Sequence, residues 1–402
     1  MALYKYYPMP SDRMGSLWTL LPIKDAYILE FGTSGTTRFE LNSFARMQGE
    51  QNSKIFTTHL DETDIALGEM TRLDKAIDEI IKSHNPTVIF VMPSTLSATM
   101  GADIAIHCKI YEKKYNNTKI IPIKNDGFQG NWTIGVRDTL DMLAKTIPIA
   151  IEKTKNLTFN IIGSCADDFN YFSDLYEIKR ILKKSFNTEP ICILTSDTSV
   201  SHIEAMGSAH INIVLRSEGI NAAKTLESRF GTPYVFGKPY GLKGTLQWIE
   251  KISQTLKVNC NYEFINSEVN ELEKGLKAAL SYNAQFKNSS FVIGGHIDVV
   301  SGLVGFLRDE AGFTLCHAWC NSPNMATETI PFYKENQWEE IIKTEDYKIL
   351  MGNAVALNLS KNQCKKIQID IPNYEFHFLK YPYTPYVGFR GALYLLNKCL
   401  NP

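Results

Sequence analysis

Residues 26–37 read AYILEFGTSGTT, an apolar run that ends in a turn of small and hydroxyl-bearing residues. Residues 93–103, PSTLSATMGAD, repeat this arrangement after the apolar run Thr87–Met92. Because the carboxyl ends of parallel strands face a ligand-binding crevice, the two turns are predicted to border a binding site. The same residue types also form ordinary turns and helix caps, so each turn by itself leaves both interpretations open.

Short apolar runs alternate with longer amphipathic stretches along the chain, which predicts an α/β fold with mainly parallel sheets. The predicted strands are Ala26–Phe31, Lys54–Thr58, Thr87–Met92, Lys119–Ile123, Thr158–Ile162, Ile191–Thr195, Ile211–Leu215, Tyr234–Phe236, Phe291–Gly294, Lys348–Met351 and Lys366–Ile369. The predicted helices include Thr71–Ser83, Tyr171–Ser185, Ala222–Phe230, Leu242–Lys257, Val269–Phe286 and Val299–Glu310. The strands form three groups. We therefore predict three Rossmann-like subdomains around a central cleft, with bounds 1–150, 151–261 and 262–402.

The composition argues against several classes of protein. The 402 residues carry a formal net charge of −1, so no nucleic-acid partner is expected. No run of about 18 apolar residues occurs, and Met1–Pro10 lacks the pattern of a signal peptide, so no membrane association is expected. The eight cysteines are scattered along the chain, which favours free thiols in a reducing, cytoplasmic setting over a disulfide framework.

Several common catalytic and cofactor motifs are missing. No glycine-rich dinucleotide fingerprint follows a predicted strand, and no P-loop occurs, so the chain is predicted to have no NAD or ATP site of its own. It also lacks the paired cysteines or the histidine–glutamate helix motif of zinc sites, and the serine elbow of α/β hydrolases. The commoner α/β enzyme mechanisms therefore lose support.

Five segments, read in order, carry a family resemblance. Residues 22–36 are similar to an HGPxGC turn, residues 57–68 to a TxxxExDxVFG segment, and residues 87–103 to a strand that runs into IGDD. Residues 209–234 are similar to an AxLNLV…yGIPy pair, and residues 386–392 to a terminal YxGxxG helix entry. Together they resemble the nitrogenase component 1 superfamily, which includes nitrogenase subunits, the scaffold of their cofactor and protochlorophyllide reductase. The likeness covers nearly the whole chain.

The resemblance implies three Rossmann-like domains and pairing with a homologous component 1 chain, in a homo- or hetero-oligomer. It also implies a partner reductase, a separate ATP-dependent iron–sulfur protein that delivers low-potential electrons. An iron–sulfur cluster is then expected in the complex, held through a partner chain. The cofactor-binding candidates are the turn residues and one arginine at the proposed cleft, namely Gly32, Ser34, Thr36, Ser94, Thr95 and Arg216.

The departures from the family pattern concern the metal ligands. Thr36 and Thr95 stand where the resemblance places two cluster cysteines, and residues 10–14, where another falls, contain none. Arg216 and Val387 stand at the positions of the cofactor's cysteine and histidine. Threonine hydroxyls are poor substitutes for soft, anionic thiolates, so this chain is not expected to hold these clusters by the usual ligands.

The sequence offers few other candidates for a metal site or for acid–base catalysis. Cys316 and Cys320 would share a face at helical spacing and contribute to a metal site, or else act as small buried apolar groups. His59 and Glu62 follow the second predicted strand, and His296 follows Gly294–Gly295. These three are the candidates for acid–base work, with helix capping and local hydrogen bonding as the alternatives.

Two hypotheses of function follow from the resemblance. The chain is either a subunit of a nitrogenase-like two-component reductase that shapes a substrate or cofactor cleft, or a non-catalytic scaffold that binds a metabolite or cofactor and has lost its redox centre. A third interpretation, an unrelated metabolite-binding α/β protein, requires the resemblance to be accidental and predicts a two-domain hinge instead of three Rossmann-like units.

Overall fold

The computed structural model describes residues 5–6, 8–47, 49–282, 289–373 and 380–400, without the side chains of 279–282. Its strands are β1 Ala26–Phe31, β2 Lys54–Thr57, β3 Val88–Pro93, β4 Lys119–Pro122, β5 Thr158–Ser164, β6 Glu189–Thr195, β7 Ile211–Val214, β8 Tyr234–Phe236, β9 Ser290–Gly295, β10 Thr314–Cys320, β11 Ile349–Gly352 and β12 Lys365–Gln368. The eleven predicted strands are confirmed to within three residues at each end, and β10 was not predicted.

Helices connect most consecutive strands. They are α1 Asp12–Leu20, α2 Ser34–Arg46, α3 Glu62–Leu67, α4 Thr71–His84, α5 Thr95–Thr99, α6 Ile104–Lys114, α7 Trp132–Thr146, α8 Tyr171–Phe186, α9 Val200–Glu204, α10 Ile220–Phe230, α11 Gly241–Leu256, α12 Tyr262–Tyr282, α13 Ile297–Val304, α14 Glu335–Thr344, α15 Ala354–Leu359 and α16 Gly388–Leu400. The predicted helix Val269–Phe286 begins earlier, in α12, and its last four residues lie outside the described part of the chain. The predicted helix Val299–Glu310 is split, because α13 gives way to a π-helical turn over Gly305–Glu310.

The strands form three parallel four-stranded sheets with one topology. Their orders are β2-β1-β3-β4, β6-β5-β7-β8 and β10-β9-β11-β12. In each sheet the strand order therefore reverses between the first and third strands, and this reversal is where open α/β sheets form a crevice at the carboxyl edge. The α/β fold class with three mainly parallel sheets is confirmed. The subdomain bounds near residues 150 and 261 stay predictions.

The hydrophobic cores join neighbouring sheets. One cluster combines Ile28 and Phe90 of the first sheet with Ile162 and Val214 of the second. Another combines the opposite face of the second sheet, including Ile161, with residues of the third sheet and of α16. Since apolar burial is shared in this way, the sheets are held together by continuous packing rather than by loose linkers.

The crossing of α1 and α7 depends on two glycines. A Cβ on Gly15 would lie 2.1 Å from the carbonyl oxygen of Trp132, and one on Gly135 would lie 1.7 Å from that of Asp12. The helix backbones therefore approach more closely than any larger residue permits. This approach fixes α1, and with it Arg13, against the carboxyl edge of the first sheet.

Substitution of Gly135 by alanine is expected to lower stability by about 1–3 kcal/mol, because the helices must move apart. The matched control is Gly244→Ala in α11, where a Cβ meets no atom within 4 Å and the backbone is regular. That variant is expected to be neutral or more stable, by up to about 1 kcal/mol. Urea unfolding of both variants measures the difference. Equal stability of the two would contradict the close-packed crossing.

Candidate functional site

Polar residues and glycines gather at the three positions where strand order reverses, which we call the first, second and third switch points. The first lies between the ends of β1 and β3, the second between those of β5 and β7, and the third between those of β9 and β11. Open α/β sheets bind ligands at such positions. Each switch point contains residues that the sequence analysis singled out.

At the first switch point the two predicted turns touch. Phe31 pairs with Pro93 in the β1–β3 ladder, and the Ser94 amide donates to the Phe31 carbonyl at 3.0 Å. A Cβ on Gly32 would lie 2.6 Å from the Ser94 side chain, so only glycine allows this contact. The Gly32 amide also donates to Thr58 Oγ1 at 3.1 Å. Gly32 and Ser94 therefore join the turns and leave no space between them.

A buried arginine occupies the floor of the first switch point. Arg13 of α1 is 2% exposed, and its Nη2 lies 2.8 Å from Glu30 Oε1. Its Nη1 also pairs with Glu40 of α2, and its Nε donates to the Pro93 carbonyl at 2.6 Å. Burial lowers the pKa of Arg13, and the Glu30 carboxylate opposes that shift. Thr37 completes the cluster by donating to Glu30 Oε2 at 2.5 Å.

The remaining candidates of the two turns lie toward solvent. Ser34 and Thr95 are exposed, and each is the first residue of its helix. Thr36 is half-buried, and its hydroxyl lies 3.2 Å from that of Thr33. These hydroxyls form local hydrogen bonds or face solvent, whereas Arg13 occupies the buried centre of the first switch point.

The second switch point is built around Arg216, which follows β7. Its Nη1 lies 2.7 Å from Asp167 Oδ1, its Nη2 lies 2.7 Å from Glu218 Oε1, and all three side chains are at most 3% exposed. Gly163 of β5 has φ +89°, and a Cβ there would lie 2.6 Å from the arginine side chain. Burial alone would raise the pKa of Glu218, but the charges of Arg216 and His296 outweigh burial and hold this pKa well below its usual range.

His296 extends this cluster to the third sheet. Its Nε2 lies 3.0 Å from Glu218 Oε1, and its Nδ1 accepts from the Asp298 amide at 3.3 Å. Asp298 in turn accepts from the amide and hydroxyl of Ser217, both at 2.7 Å. Burial opposes the charged imidazole, but the Glu218 carboxylate outweighs burial and raises the pKa of His296. The structure thus brings Arg216 and His296 into one buried network.

Three potential metal ligands meet in that network. Ligand atoms of Glu218, His296 and Asp298 lie within 4.8 Å of one another, and no other group of three His, Cys, Asp or Glu residues does so in the described part of the chain. Both imidazole nitrogens are already engaged in hydrogen bonds. The guanidinium of Arg216 beside Glu218 also repels a cation. The arrangement is therefore a structural ion network rather than a metal centre.

A second buried cation adjoins the network. Lys238 pairs with Asp168, the neighbour of Asp167, and its Nζ lies 4.0 Å from Asp174 Oδ2. The Tyr386 amide donates to Asp174 Oδ1 at 2.7 Å. Burial raises the pKa of Asp174 to about 7, although Lys238 opposes that shift. This carboxyl group consequently titrates near neutral pH while it anchors the segment that leads into α16.

The third switch point opens into a cavity of about 330 Å³. Its floor contains Gly294 and Gly295 of β9, and further walls come from the ends of β10, β11 and β12 and from residues 332–339. Met9, Pro10 and Trp132 close it from the amino-terminal part of the chain. A Cβ on Gly294 would lie 1.8 Å from the Trp319 indole, so glycine is needed for that ring to cross the strand end.

Cys316 and Cys320 do not form the shared helical face that the sequence analysis predicted. Both lie in strand β10, where four residues span roughly 13 Å, so their sulfurs cannot ligate one metal ion. Cys320 is buried against Ser322, and burial raises the pKa of its thiol to about 11. The helical prediction was wrong because the β-branched residues that mark the other strands are rare in this segment.

His59 and Glu62 lie apart from His296. Both are exposed on the segment after β2, where Asp61 caps α3 and pairs with Arg72. Arg72 also donates to the His59 carbonyl at 3.2 Å. The structure therefore places His59 and Glu62 in a solvent-exposed capping region, and of the three acid–base candidates it brings His296 alone to a buried switch point.

The chain belongs to the family of nitrogenase component 1 type oxidoreductases, whose model matches residues 11–402. A solved structure of nitrogenase Cp1 at pH 6.5 has the same fold, with a TM-score of 0.80, 17% identity and coverage of 99% of this chain and 93% of that one. Among the described residues, no helix is both long and apolar enough to cross a membrane.

Curated relatives include proteins of cofactor biosynthesis and of nitrogenase itself. The nitrogenase iron-molybdenum cofactor biosynthesis protein NifE of Clostridium pasteurianum is 30% identical over an alignment of 295 residues, which covers 69% of this chain and 63% of that protein. The nitrogenase molybdenum-iron protein alpha chain of Methanosarcina barkeri is 28% identical over an alignment of 244 residues, which covers 58% of this chain and 44% of that one. The chain spans less than two thirds of the length of both relatives.

The residues at the first two switch points do not fit an iron–sulfur cluster. Arg13 and Arg216 fill the buried positions there, and a guanidinium has five donors and no lone pair for a metal. Cys165, close to Arg216, is buried, and burial raises the pKa of its thiol to about 12, which disfavours the thiolate that a cluster needs. The buried side chains at these two switch points therefore form ion pairs and do not provide a set of metal ligands.

Sequence reasoning missed the residues that neutralise the two arginines. Glu30 was available as a signal, because it is a charged residue inside the otherwise apolar run of β1 and is 1% exposed. Asp167 and Glu218 gave no comparable signal, since acidic residues in loops are usually solvated. The aromatic walls of the cavity also come from distant segments whose proximity is decided by packing.

Replacement of Arg216 by methionine is expected to lower stability by about 3–5 kcal/mol at pH 7, because Asp167 and Glu218 stay buried without a counter-charge. The matched control is Arg308→Met, since Arg308 pairs with Asp309 at the exposed surface. Little change is expected there. Urea unfolding measures both variants. A loss no larger than that of the control would contradict the structural role of Arg216.

Replacement of Asp174 by asparagine should change how stability depends on pH. A folded pKa of about 7, above the ordinary 3.8, means that the contribution of Asp174 to the stability of the wild type falls as pH rises from about 4 to 7. Asparagine has no such titration, so the stability of the variant relative to wild type should rise over that interval and level off above it. Asp309→Asn, at an exposed site, is the control. Urea unfolding at several pH values tests this, and a falling difference would contradict it.

Proposed function

We propose that this chain is a cluster-free, ligand-binding subunit of a complex like those of nitrogenase component 1, in which a homologous partner chain carries the redox centre. The observation that carries the proposal is the pair of buried arginines, Arg13 and Arg216. Each lies between two carboxylates in the region where the family resemblance places thiolate ligands. The alternative from the sequence, a scaffold that has lost its redox centre, is thus the one we favour.

The charges within these clusters support a scaffold role. Arg13 is neutralised by Glu30 and Glu40, so it has little charge left with which to hold an anionic cofactor. Arg216 is engaged by two carboxylates in the same way. We therefore assign binding to the cavity at the third switch point, whose lining among the described residues contains no arginine held between two carboxylates. The NifE relatives are named for cofactor biosynthesis, which is consistent with a scaffold that holds a compound.

A second candidate function is that of a subunit in a two-component reductase. Here a separate ATP-dependent iron–sulfur protein would deliver electrons to a cluster in the partner chain, and this chain would shape the substrate cleft. The family's oxidoreductase description and the similarity to a nitrogenase alpha chain favour this candidate. Turnover that requires ATP and the iron protein distinguishes it from a scaffold.

The experiment is an assay of iron and acid-labile sulfide on two anaerobic preparations. The chain purified alone should contain neither in stoichiometric amount. A complex with a component 1 homologue from its gene neighbourhood should contain both, and should show a spectrum that dithionite bleaches. A cluster in the isolated chain would overturn the proposal, and so would a complete complex without any cluster.

Within that experiment, Thr36→Cys and Thr95→Cys serve as matched variants of the chain alone, because neither threonine belongs to the buried ion network of Arg13. Each restores a thiol near the first switch point without changing the cavity. Because the remaining ligands are still missing, neither variant should acquire a cluster. Cluster uptake by one single variant would show that the arginine network does not replace the metal ligands.

A further inference from the structure

The cavity at the third switch point combines aromatic rings with carboxylates. Trp319, Tyr333 and Trp338 are among its lining residues, and the rings of Trp319 and Tyr333 are nearly parallel, with an interplanar angle of 14° and centroids 6.3 Å apart. Glu335 and Glu339 line the cavity beside these rings. The face of an aromatic ring is electronegative and a carboxylate is an anion, so both kinds of wall attract a positively charged group.

Carboxylates also outnumber ammonium groups in the lining of the cavity. Three carboxylates, from Glu335, Glu339 and Asp370, stand against the two lysines Lys5 and Lys334, which leaves a net charge of −1. An anionic ligand would meet net repulsion there, and a neutral ligand would gain nothing from these charges. The charge of the lining therefore favours a cation.

The chain itself places a cation against one of these carboxylates. The ammonium Nζ of Lys5 lies 3.3 Å from Glu339 Oε1 and 4.6 Å from the centroid of the Tyr6 ring. The Tyr6 hydroxyl donates to Glu339 Oε1 at 2.7 Å, and the Tyr6 amide donates to Glu335 Oε2 at 3.2 Å. An ammonium group is thus held between a carboxylate and an aromatic face, which is the arrangement that recognises organic cations.

The ammonium of Lys5 can be exchanged for that of a ligand. Its side chain is 64% exposed, so the ammonium lies at the mouth of the cavity, and an ion pair this exposed contributes little to stability. The same segment is anchored further along, because the Trp132 amide donates to the Pro10 carbonyl at 3.0 Å. Lys5 can therefore leave Glu339 while Pro10 and Trp132 keep their places in the lining.

We propose that the cavity binds an organic cation, an ammonium or guanidinium group on a flat apolar body, and that Lys5 is an internal competitor for this site. This inference rests on the proposed function, because it names the class of ligand that the scaffold's cavity holds. The cationic group takes the place of the Lys5 ammonium at Glu339, and the apolar body lies against Trp319 and Tyr333. The volume of about 330 Å³, at the small end of the range for small-molecule sites, suits a single ring.

Isothermal titration calorimetry of the full chain at pH 7 with three compounds of similar shape tests this. Benzylamine carries an ammonium group beside its ring, benzyl alcohol is the neutral counterpart, and benzoate is an anion. Benzylamine should bind saturably with a Kd below about 1 mM, benzyl alcohol at least about fivefold more weakly, and benzoate not at all. No binding of benzylamine, or equally tight binding of benzyl alcohol or benzoate, would overturn the proposal.

Replacement of Lys5 by methionine separates competition from structural support. Because the competing ammonium is removed, the variant should bind benzylamine about 2- to 10-fold more tightly than the wild type. The matched control is Lys24→Met, since Lys24 forms an exposed ion pair with Asp197 at 3.1 Å and does not line the described cavity. That variant should bind like the wild type. Affinity of Lys5→Met that is equal to the control, or weaker, would overturn the role of Lys5.

A second pair of variants, made in the Lys5→Met background, locates the anionic wall. Glu339→Gln keeps the size of the side chain but removes its charge, and should weaken benzylamine binding about 3- to 10-fold. Glu340→Gln is the matched control, because Glu340 is exposed on the same helix and lies outside the lining of the described cavity. Both variants should unfold at similar temperatures. Equal affinities of the two would overturn the assignment of Glu339.

The inference and the proposed function fail separately. If benzylamine does not bind and the isolated chain contains no iron or sulfide, the cation assignment is wrong and the cluster-free subunit stands. If the isolated chain contains a cluster, the proposed function is wrong whatever the calorimetry shows.

Discussion

The guanidinium of Arg216 is the interaction on which the rest of the site depends. It is bound by Asp167, which follows β5, and by Glu218, which follows β7. Glu218 also contacts His296 at the end of β9. Buried charges are tolerated only when they are paired, so the relative positions of the second and third sheets are fixed by the geometry of these pairs. The cavity floor immediately precedes His296 and is held in place by the same network.

Arg13 cross-links the strand ends of the first sheet, as Arg216 does those of the second. It ties α1, α2 and the ends of β1 and β3 through one planar group with several donors, a task that a lysine or a hydroxyl could not perform. Both arginines stand where the family resemblance places metal ligands. A cluster and an ion network are alternative ways to cross-link strand ends, and in this chain the ion network fills both positions.

The three switch points share one strand order but have different contents. The first two are closed by arginine and carboxylate side chains, whereas the third contains two glycines and opens into an aromatic cavity. Side-chain volume explains the contrast, since the glycines of β9 leave room that Trp319 covers but does not fill. The first two switch points are therefore filled by ion pairs, and the third leaves an open cavity.

By itself the sequence determined the α/β class and eleven of the twelve strands found among the described residues, because apolar runs and turn residues are local signals. It did not reveal β10, whose residues Cys316–Cys320 lack the usual strand composition, nor the partners of Arg216. Only the tertiary structure decided that Asp167, Glu218 and His296 meet around one guanidinium, and that Trp132 faces the third sheet. Arg216 and Glu218 are two positions apart, but the other contacts join residues 49 to 191 positions apart, and only packing brings such distant residues together.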